Sequence, residues 1–423
     1  MHNPEEVSAP EPTMIGTYLV TVEQGEDIEA RLRTIAGHFY PGANSVVAGE
    51  APEMRARHSG RVLSVTRLVD REVDRPLPPG SGQFLVRLAI PIESMGDSMA
   101  MLMTLAAGEV LAFGTIKLVD ISLPETYLGM FAGPKYGIPG LRRLLGAAQR
   151  PLLVAIFKPC IGYSAEQGAA AFYEAAAGGA DVVKDDELMA DPGYCRRVER
   201  VRRYAEAERR TFEETGRHTL HAVNITDCGD RLLGNALEAV ELGANALMVS
   251  YLQVGLDSAR RVCEDPRVTV PVLGHNAGAT ALYAARATGV SPFVINGILA
   301  RLCGLDLAVF LTEHGKFPSQ RDWCEQIVHA LRRPMGNLLP TLPVAGGGVT
   351  ASLVGAVCQT YGRDIAIGAG TAVFGHPSGS RAGARALSQA IEAEMAGEPL
   401  AAAAQRHREL RQALEYWGPP VAQ

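Results

Sequence analysis

Residues 151–187 read PLLVAIFKPCIGYSAEQGAAAFYEAAAGGADVVKDDE. An apolar run of strand length, 152–158, ends in a lysine. An alanine-rich helical stretch, 165–177, follows, and a Gly-Gly turn leads into a second apolar run, 181–185, that ends in charges. This is one strand–helix–strand unit. Downstream, β-rich runs at 219–224, 246–250, 270–273, 307–311, 342–345 and 364–367 alternate with helical stretches at 192–215, 229–242, 256–263, 279–287, 320–331, 351–361 and 381–395. Eight such units predict a (β/α)8 barrel, whose typical length of ~250 residues fits the span. The alternative, an open doubly wound sheet, should carry a GxGxxG turn after its first strand, and the sequence has none there.

Upstream the pattern differs. Strands are predicted at 17–22, 61–66 and 82–90, with helices at 26–38 and 97–105, which suggests a smaller α+β, ferredoxin-like domain with helices on one face of its sheet. The Gly- and Pro-rich stretch GMFAGPKYGIPG, 129–140, marks a boundary. The expected division is a disordered lead-in at 1–13, an α+β domain at 14–135, a barrel at 136–400 and a helical tail at 401–423.

Composition narrows the partners. Nothing in a net charge of −6 and a pI near 6.0 suggests nucleic acid, which would favour a basic face. Short arginine pairs, Arg142-Arg143 and Arg196-Arg197, read as solvated helix faces. No run approaches the ~18 apolar residues of a membrane span. The acidic, Pro-rich start is unlike a signal peptide. Seven dispersed cysteines without a CxxC pair fit reduced thiols in a cytoplasm and no zinc cluster.

In a barrel, chemistry belongs at the carboxyl ends of the strands. The first predicted strand ends in Phe157-Lys158-Pro159-Cys160-Ile161-Gly162. A lysine there would be partly desolvated, with a lowered pKa that suits a base; otherwise it is a rim lysine. The second ends in Lys184-Asp185-Asp186-Glu187. Alternation puts Lys184 and Asp186 on one side, with Glu187 following in the loop. Two carboxylates there suit Mg2+, which takes oxygen ligands; the alternative, a solvated strand end, is disfavoured by the apolar Val182-Val183 before them. His275 ends the fifth strand, as a catalyst or as a structural hydrogen-bonder. Glycine clusters close the seventh (Gly346-Gly347-Gly348) and eighth (Gly368-Ala369-Gly370), the usual barrel phosphate site, though glycines also make tight turns.

With these residues in this order, the chain resembles the RuBisCO large subunit from about residue 100 to 395, and more closely the RuBisCO-like proteins that lack carboxylase activity. The strand-one motif Lys-Pro-x-x-Gly matches Lys158 to Gly162. The Lys-Asp-Asp-Glu motif matches Lys184 to Glu187 after a Gly178-Gly179-Ala180-Asp181 lead-in. His275, the loop glycines Gly347, Gly348, Gly368 and Gly370, and Gly375-His376-Pro377 also match. The resemblance implies a carbamate formed from CO2 on Lys184, which with Asp186 and Glu187 holds Mg2+. It makes Lys158 or the carbamate the base that forms an enolate, and gives His275 a role at substrate hydroxyls or in proton transfer. It also implies a homodimer, or a dimer-based oligomer, with shared active sites.

The departures bear on substrate. A second catalytic lysine of the carboxylases is Cys160 here, which argues against CO2 fixation. Their arginine after the strand-five histidine is Asn276, their strand-six histidine aligns with Val309, and their loop-seven serine is Gly346. Those three form the second phosphate site of bisphosphate users, so a singly phosphorylated substrate is expected. The mobile loop-six lysine aligns with Lys316. In the first domain, His38-Phe39-Tyr40-Pro41-Gly42 stands where the carboxylases lend a Glu and Thr-Gly-Thr to the neighbouring subunit, and Glu109 replaces an asparagine. The resemblance thus implies a Mg2+-dependent lyase or isomerase that forms an enolate from a phosphorylated keto-sugar or keto-acid. Divergence from the methionine-salvage patterns favours decarboxylation of the 3-oxo-isoapionate 4-phosphate type. The alternatives are an enolase or isomerase of a methylthio-ribulose or diketo-methylthiopentyl 1-phosphate, and a non-catalytic barrel that binds a phosphorylated ligand. A carboxylase of ribulose 1,5-bisphosphate is disfavoured by Cys160 and by the lost second phosphate site.

Overall fold

The computed structural model describes residues 13–23, 25–38, 47–68, 82–93, 95–317 and 321–418. The chain divides into two compact units: one of 1–131, 278–298 and 335–337, the other of 132–277, 299–334 and 338–423.

The first unit holds a five-stranded sheet, β10-β4-β1-β3-β2, from β1 (Thr13–Val22), β2 (Arg61–Leu68), β3 (Gly82–Pro91), β4 (Ile116–Ser122) and β10 (Gly289–Val290). Every second residue of β1 is buried, the period of a strand with one face on a core. β4 and β10 escape the sequence reading. β4 carries Lys117, a residue expected outside, yet here it is buried and donates to the carbonyls of Tyr283 (3.1 Å) and Ala285 (2.6 Å). The helix expected at 97–105 is Met99–Met103, followed by a wider π turn over Thr104–Gly108. Residues 39–42 lie outside the described part of the chain.

The second unit is a closed barrel of eight parallel strands. They are β5 (Leu152–Ile156), β6 (Val182–Lys184), β7 (Leu220–Asn224), β8 (Ala246–Val249), β9 (Val272–Gly274), β11 (Leu307–Leu311), β12 (Leu342–Gly346) and β13 (Ala366–Ala369). Alternate residues fill the interior, among them Leu152, Val154, Val182, Ala222, Met248, Val309, Val344 and Ala366. Burial of about 25 cal/mol per Å² of such apolar surface drives closure.

Local chemistry explains the boundaries. Helix Ala165–Ala177 starts at a capping box: Ser164 Oγ accepts from the Gln167 amide (3.2 Å) and Gln167 Oε1 from the Ser164 amide (3.0 Å). Gly178 sits so close to helix Ser380–Ala396 that a Cβ would lie 2.4 Å from the Arg381 carbonyl. The helix expected from 192 begins only at Arg197, because Pro192-Gly193 turns the chain and the Asp191 carboxylate takes the Arg197 amide (2.6 Å). β6 is shorter than expected because Asp181, at its foot, gives its carboxylate to Arg150 (2.5 Å) and to the Leu153 amide (2.8 Å). The helix expected at 279–287 ends at Tyr283, and the tail comprises helices Leu400–Arg406 and Arg408–Trp417. The arginine pairs are not simply solvated: Arg197 is buried and bonds Glu238 (2.8 Å) and Asn235 (2.9 Å), while Arg142 holds Asp364 (2.7 Å). Among the described residues no helix is long and apolar enough to cross a membrane.

Candidate active site at the carboxyl ends of the barrel strands

The pleat of β6 sorts a run of four charges. Lys184, its last residue, is fully buried, and its Nζ lies 2.8 Å from the Asp185 carbonyl and 3.4 Å from Glu187 Oε2. Burial holds this amine below the ordinary lysine range, an effect that the Glu187 and Asp186 charges only partly oppose. Asp185 faces the other way, into the barrel wall. There it meets Arg200 Nε (2.9 Å), His221 Nε2 (2.9 Å) and the Asn224 amide (3.0 Å). Burial alone would raise its pKa, but the Arg200 and His221 charges and the hydrogen bonds bring it down to about 2.

Asp186 receives Lys158 from the end of β5, with Nζ 2.7 Å from Oδ2. Lys158 also reaches Cys160 Sγ at 2.8 Å. Burial lowers its pKa, yet the Asp186 and Cys160 contacts outweigh that and hold it above the ordinary value. The sequence expectation of a depressed Lys158 is therefore corrected: the depressed amine is Lys184, because it is wholly desolvated and its nearest carboxylate, Glu187 at 3.4 Å, offsets that only in part. Asp186 itself is held low, burial being outweighed by Lys158.

Glu187 completes the cluster, with His275 Nε2 3.3 Å from its Oε2. Its pKa too is lowered: the Lys184 and His275 charges outweigh burial. The His275 amide extends the strand pairing to the Val249 carbonyl (2.8 Å), while its Nδ1 is buried without a hydrogen-bond partner. Burial first, and the Lys184 charge second, bring its pKa to about 4, so the imidazole is neutral at neutral pH. Asn276 follows, buried. Asn224 Nδ2 bonds the carbonyls of Asp186 (3.1 Å) and Glu187 (3.2 Å) and so shapes the turn that carries both carboxylates.

The glycines define the other half. Gly347 and Gly348 have φ of +99° and +108°, which L side chains rarely adopt. Lys316 packs on them, its amide 2.8 Å from the Gly347 carbonyl. A Cβ on Gly370 would sit 3.1 Å from Lys158 Cε, and one on Gly368 3.0 Å from the Ala345 carbonyl, so their bareness lets β13 close against both neighbours. The structure thus brings Lys158, Lys184, Asp186, Glu187, His275 and Gly370 into one cluster, and Lys316, Gly347 and Gly348 into a second. Val309 lies in the barrel core. Glu109 belongs to the first unit, exposed where the 3-10 turn Val110–Phe113 starts. Sequence reasoning did not reach Asp185, Arg200, His221 and Asn224. The alternation that put Lys184 and Asp186 on one side also turned Asp185 away from them, and a buried carboxylate requires a partner.

The family model for the ribulose bisphosphate carboxylase large chain, catalytic domain, matches residues 137–417. The chain belongs to the RuBisCO large-chain family. Within it, the similar proteins include RuBisCO-like proteins and, among the solved structures, Rubiscos. A "ribulose bisphosphate carboxylase-like protein" of Archaeoglobus fulgidus is 37% identical over 92% of this chain and 89% of its own. A 2,3-diketo-5-methylthiopentyl-1-phosphate enolase of Geobacillus kaustophilus is 31% identical over 96% of this chain and 98% of its own. The crystal structure of a rubisco-like protein (MtnW) from Alicyclobacillus acidocaldarius superposes with a TM-score of 0.88 at 34% identity, covering 96% of this chain and all of that one. A dimeric archaeal Rubisco from Hyperthermus butylicus gives a TM-score of 0.86 at 28% identity, covering 96% of each chain.

Proposed function

We propose that this chain is a Mg2+-dependent enolase of the RuBisCO-like branch, acting on a singly phosphorylated diketone of the 2,3-diketo-5-methylthiopentyl 1-phosphate type, and not a carboxylase. The observation that carries this reading is the desolvated Lys184 amine 3.4 Å from Glu187 Oε2, with Lys158 poised on the adjacent Asp186 carboxylate. The names of relatives aligned over nearly the whole chain support this substrate class better than the decarboxylation favoured by sequence divergence alone.

The donor set fits a hard cation in one way. Among the described residues no three His, Cys, Asp or Glu side chains converge as a ready metal site. Asp186 and Glu187 supply two carboxylates, and the family resemblance implies a third oxygen donor in a carbamate on Lys184. Burial favours the neutral form of this amine, the form that attacks CO2 to make the N–C bond of a carbamate with loss of one proton to solvent. Lys184, Asp186 and Glu187 would then hold Mg2+, which when bound polarises a substrate carbonyl and stabilises enolate charge.

The chain's own residues do the rest. Lys158 is held protonated by Asp186 and Cys160, and its amine becomes a base only when Asp186 is engaged elsewhere; it then takes the proton alpha to the carbonyl. His275, neutral, can accept or return a proton at a substrate oxygen. The amides around Gly347, Gly348, Gly368 and Gly370, with Lys316, would bind the single phosphate, and Asn276 would contact the substrate beside it. Tautomerisation moves one proton and needs no further reactant. The assembly we expect is a homodimer, consistent with the dimeric archaeal relative.

The test is proton NMR in D2O with Mg2+ and bicarbonate over a panel of a phosphorylated diketone, a 3-oxo sugar-acid phosphate and ribulose 1,5-bisphosphate, comparing wild type with Lys184→Ala. Enolisation of the diketone that disappears in the variant is the expected result. CO2 release from the oxo-acid, or turnover of the bisphosphate, overturns the substrate assignment, and silence throughout with no Mg2+ binding favours a non-catalytic barrel.

A further inference from the structure

Beyond β11 the chain runs Thr312-Glu313-His314-Gly315-Lys316-Phe317, and its first half is tied down more firmly than an exposed loop requires. The Glu313 side chain is only 8% exposed. Its carboxylate accepts the Tyr361 hydroxyl and the Thr312 hydroxyl (3.2 Å). The Tyr361 and Thr312 hydroxyls also lie 3.1 Å apart. His314 Nε2 shares a hydrogen bond with Thr360 Oγ1 at 2.9 Å and lies 3.5 Å from Glu313 Oε1. Tyr361 is buried, and its ring meets Phe310 edge-on at 5.5 Å. Thr360 and Tyr361 are the last two residues of helix Val354–Tyr361, which follows β12 in the chain.

The loop is fastened on its inner side too. The Gly315 amide donates to the Thr312 carbonyl (3.1 Å) and the Lys316 amide to the Gly347 carbonyl (2.8 Å). Gly315 approaches that carbonyl so closely that a Cβ would lie 2.4 Å from it. The Lys316 stem packs over Gly348, where an added Cβ would be 3.1 Å from Lys316 Cγ. A buried carboxylate is costly unless hydrogen-bonded; both hydroxyls reach Oε2 while the buried Oε1 has only His314 near it, so Glu313 favours the loop geometry in which these partners reach it.

We propose that Tyr361 and Glu313, helped by Thr312, His314 and Thr360, are positioning residues that lock the start of this loop so that Lys316 stands beside Gly347 and Gly348. The inference deepens the proposed function, since it rests on those glycines and Lys316 receiving the substrate phosphate. It assigns the end of the helix that follows β12 a part in substrate recognition.

The test uses the full chain with Mg2+ and bicarbonate and has two arms. Amide hydrogen exchange across 312–317 reads the lock without turnover. In Tyr361→Phe, Gly315 and Lys316 should exchange at least roughly ten-fold faster while amides of 152–156 keep their rates. Steady-state kinetics with the phosphorylated diketone should show KM raised roughly ten-fold and kcat changed by less than about three-fold, the signature of lost binding rather than of lost chemistry. Glu313→Gln, which still accepts from Tyr361, should stay nearer wild type in both arms. Unchanged exchange at Gly315 and Lys316 in Tyr361→Phe overturns the proposal, as does a fall in kcat alone. If Tyr361→Phe speeds exchange throughout the barrel, Thr360→Val decides: acceleration confined to 312–317 supports the lock, and none overturns it. If the wild type does not turn over the diketone, the substrate reading fails while the exchange arm still judges the lock.

Discussion

The two halves of the candidate site are built by opposite means. At the ends of β5 and β6, buried charged side chains touch one another: Lys158 on Asp186, Lys184 toward Glu187, and Asp185 locked to Arg200 behind them. At the ends of β12 and β13 the side chains are missing, and glycines let the backbone of one strand and the stem of Lys316 come close. Under the proposed function the contrast follows from the tasks. Proton transfer and cation binding need ionisable groups whose charge is tuned by desolvation, whereas an anion is held by backbone N–H groups that a Cβ would keep away. The charged half should be sensitive to charge deletion, and the bare half to added volume.

The largest effect expected from breaking this division is at Lys184. Lys184→Ala should lower activity by roughly three orders of magnitude, the scale of a lost catalytic group, with little change in Tm because the remaining carboxylates keep Lys158; initial rates beside thermal melts check this. Next is the wall behind it. Arg200→Met leaves the Asp185 carboxylate buried and short of its main partner, at a cost of about 3–5 kcal/mol. The double change Asp185→Asn with Arg200→Met should recover much of that loss in chemical denaturation. If it does not, the pair is not the unit described here.

Acid should act on the same wall more gently. Asp185 is depressed from 3.8 to about 2, so its contribution is fully present above its ordinary range and is lost as pH falls through about 2. The amount is about 2 kcal/mol, and stability against pH for wild type and Asp185→Asn should converge by that amount at the acid end. The smallest expected effect lies in the bare half. Gly348→Ala forces an alanine to a φ of +108° against the Lys316 stem, at about 1–2 kcal/mol of strain. KM for the phosphorylated substrate should rise more than kcat falls. A loss confined to kcat would place Gly348 outside phosphate binding.

Much of this was legible in the residues. The eight-fold alternation predicted the barrel, and the run ending in Lys184-Asp185-Asp186-Glu187 located the charged cluster, because desolvating four charges at a strand end is unfavourable without a purpose. The second sheet was less legible. β4 was missed because a buried lysine disguises its apolar face, and the 289–290 strand is two residues long. Arg197 and Arg142 were misread because periodicity places a residue on a helix face without saying what that face meets.

Amino-acid order by itself determined the strand–helix rhythm, the glycine loops at two strand ends and the side of β6 on which Lys184 and Asp186 lie. These depend on backbone preference and on periods of two and 3.6 residues, both local properties. Tertiary structure alone decided which lysine is depressed, that Asp185 serves the wall through Arg200, and that Tyr361 reaches Glu313 from 48 residues away. A pKa and a hydrogen bond depend on what surrounds a group, and in a closed barrel those surroundings come from strands and helices far apart in the chain.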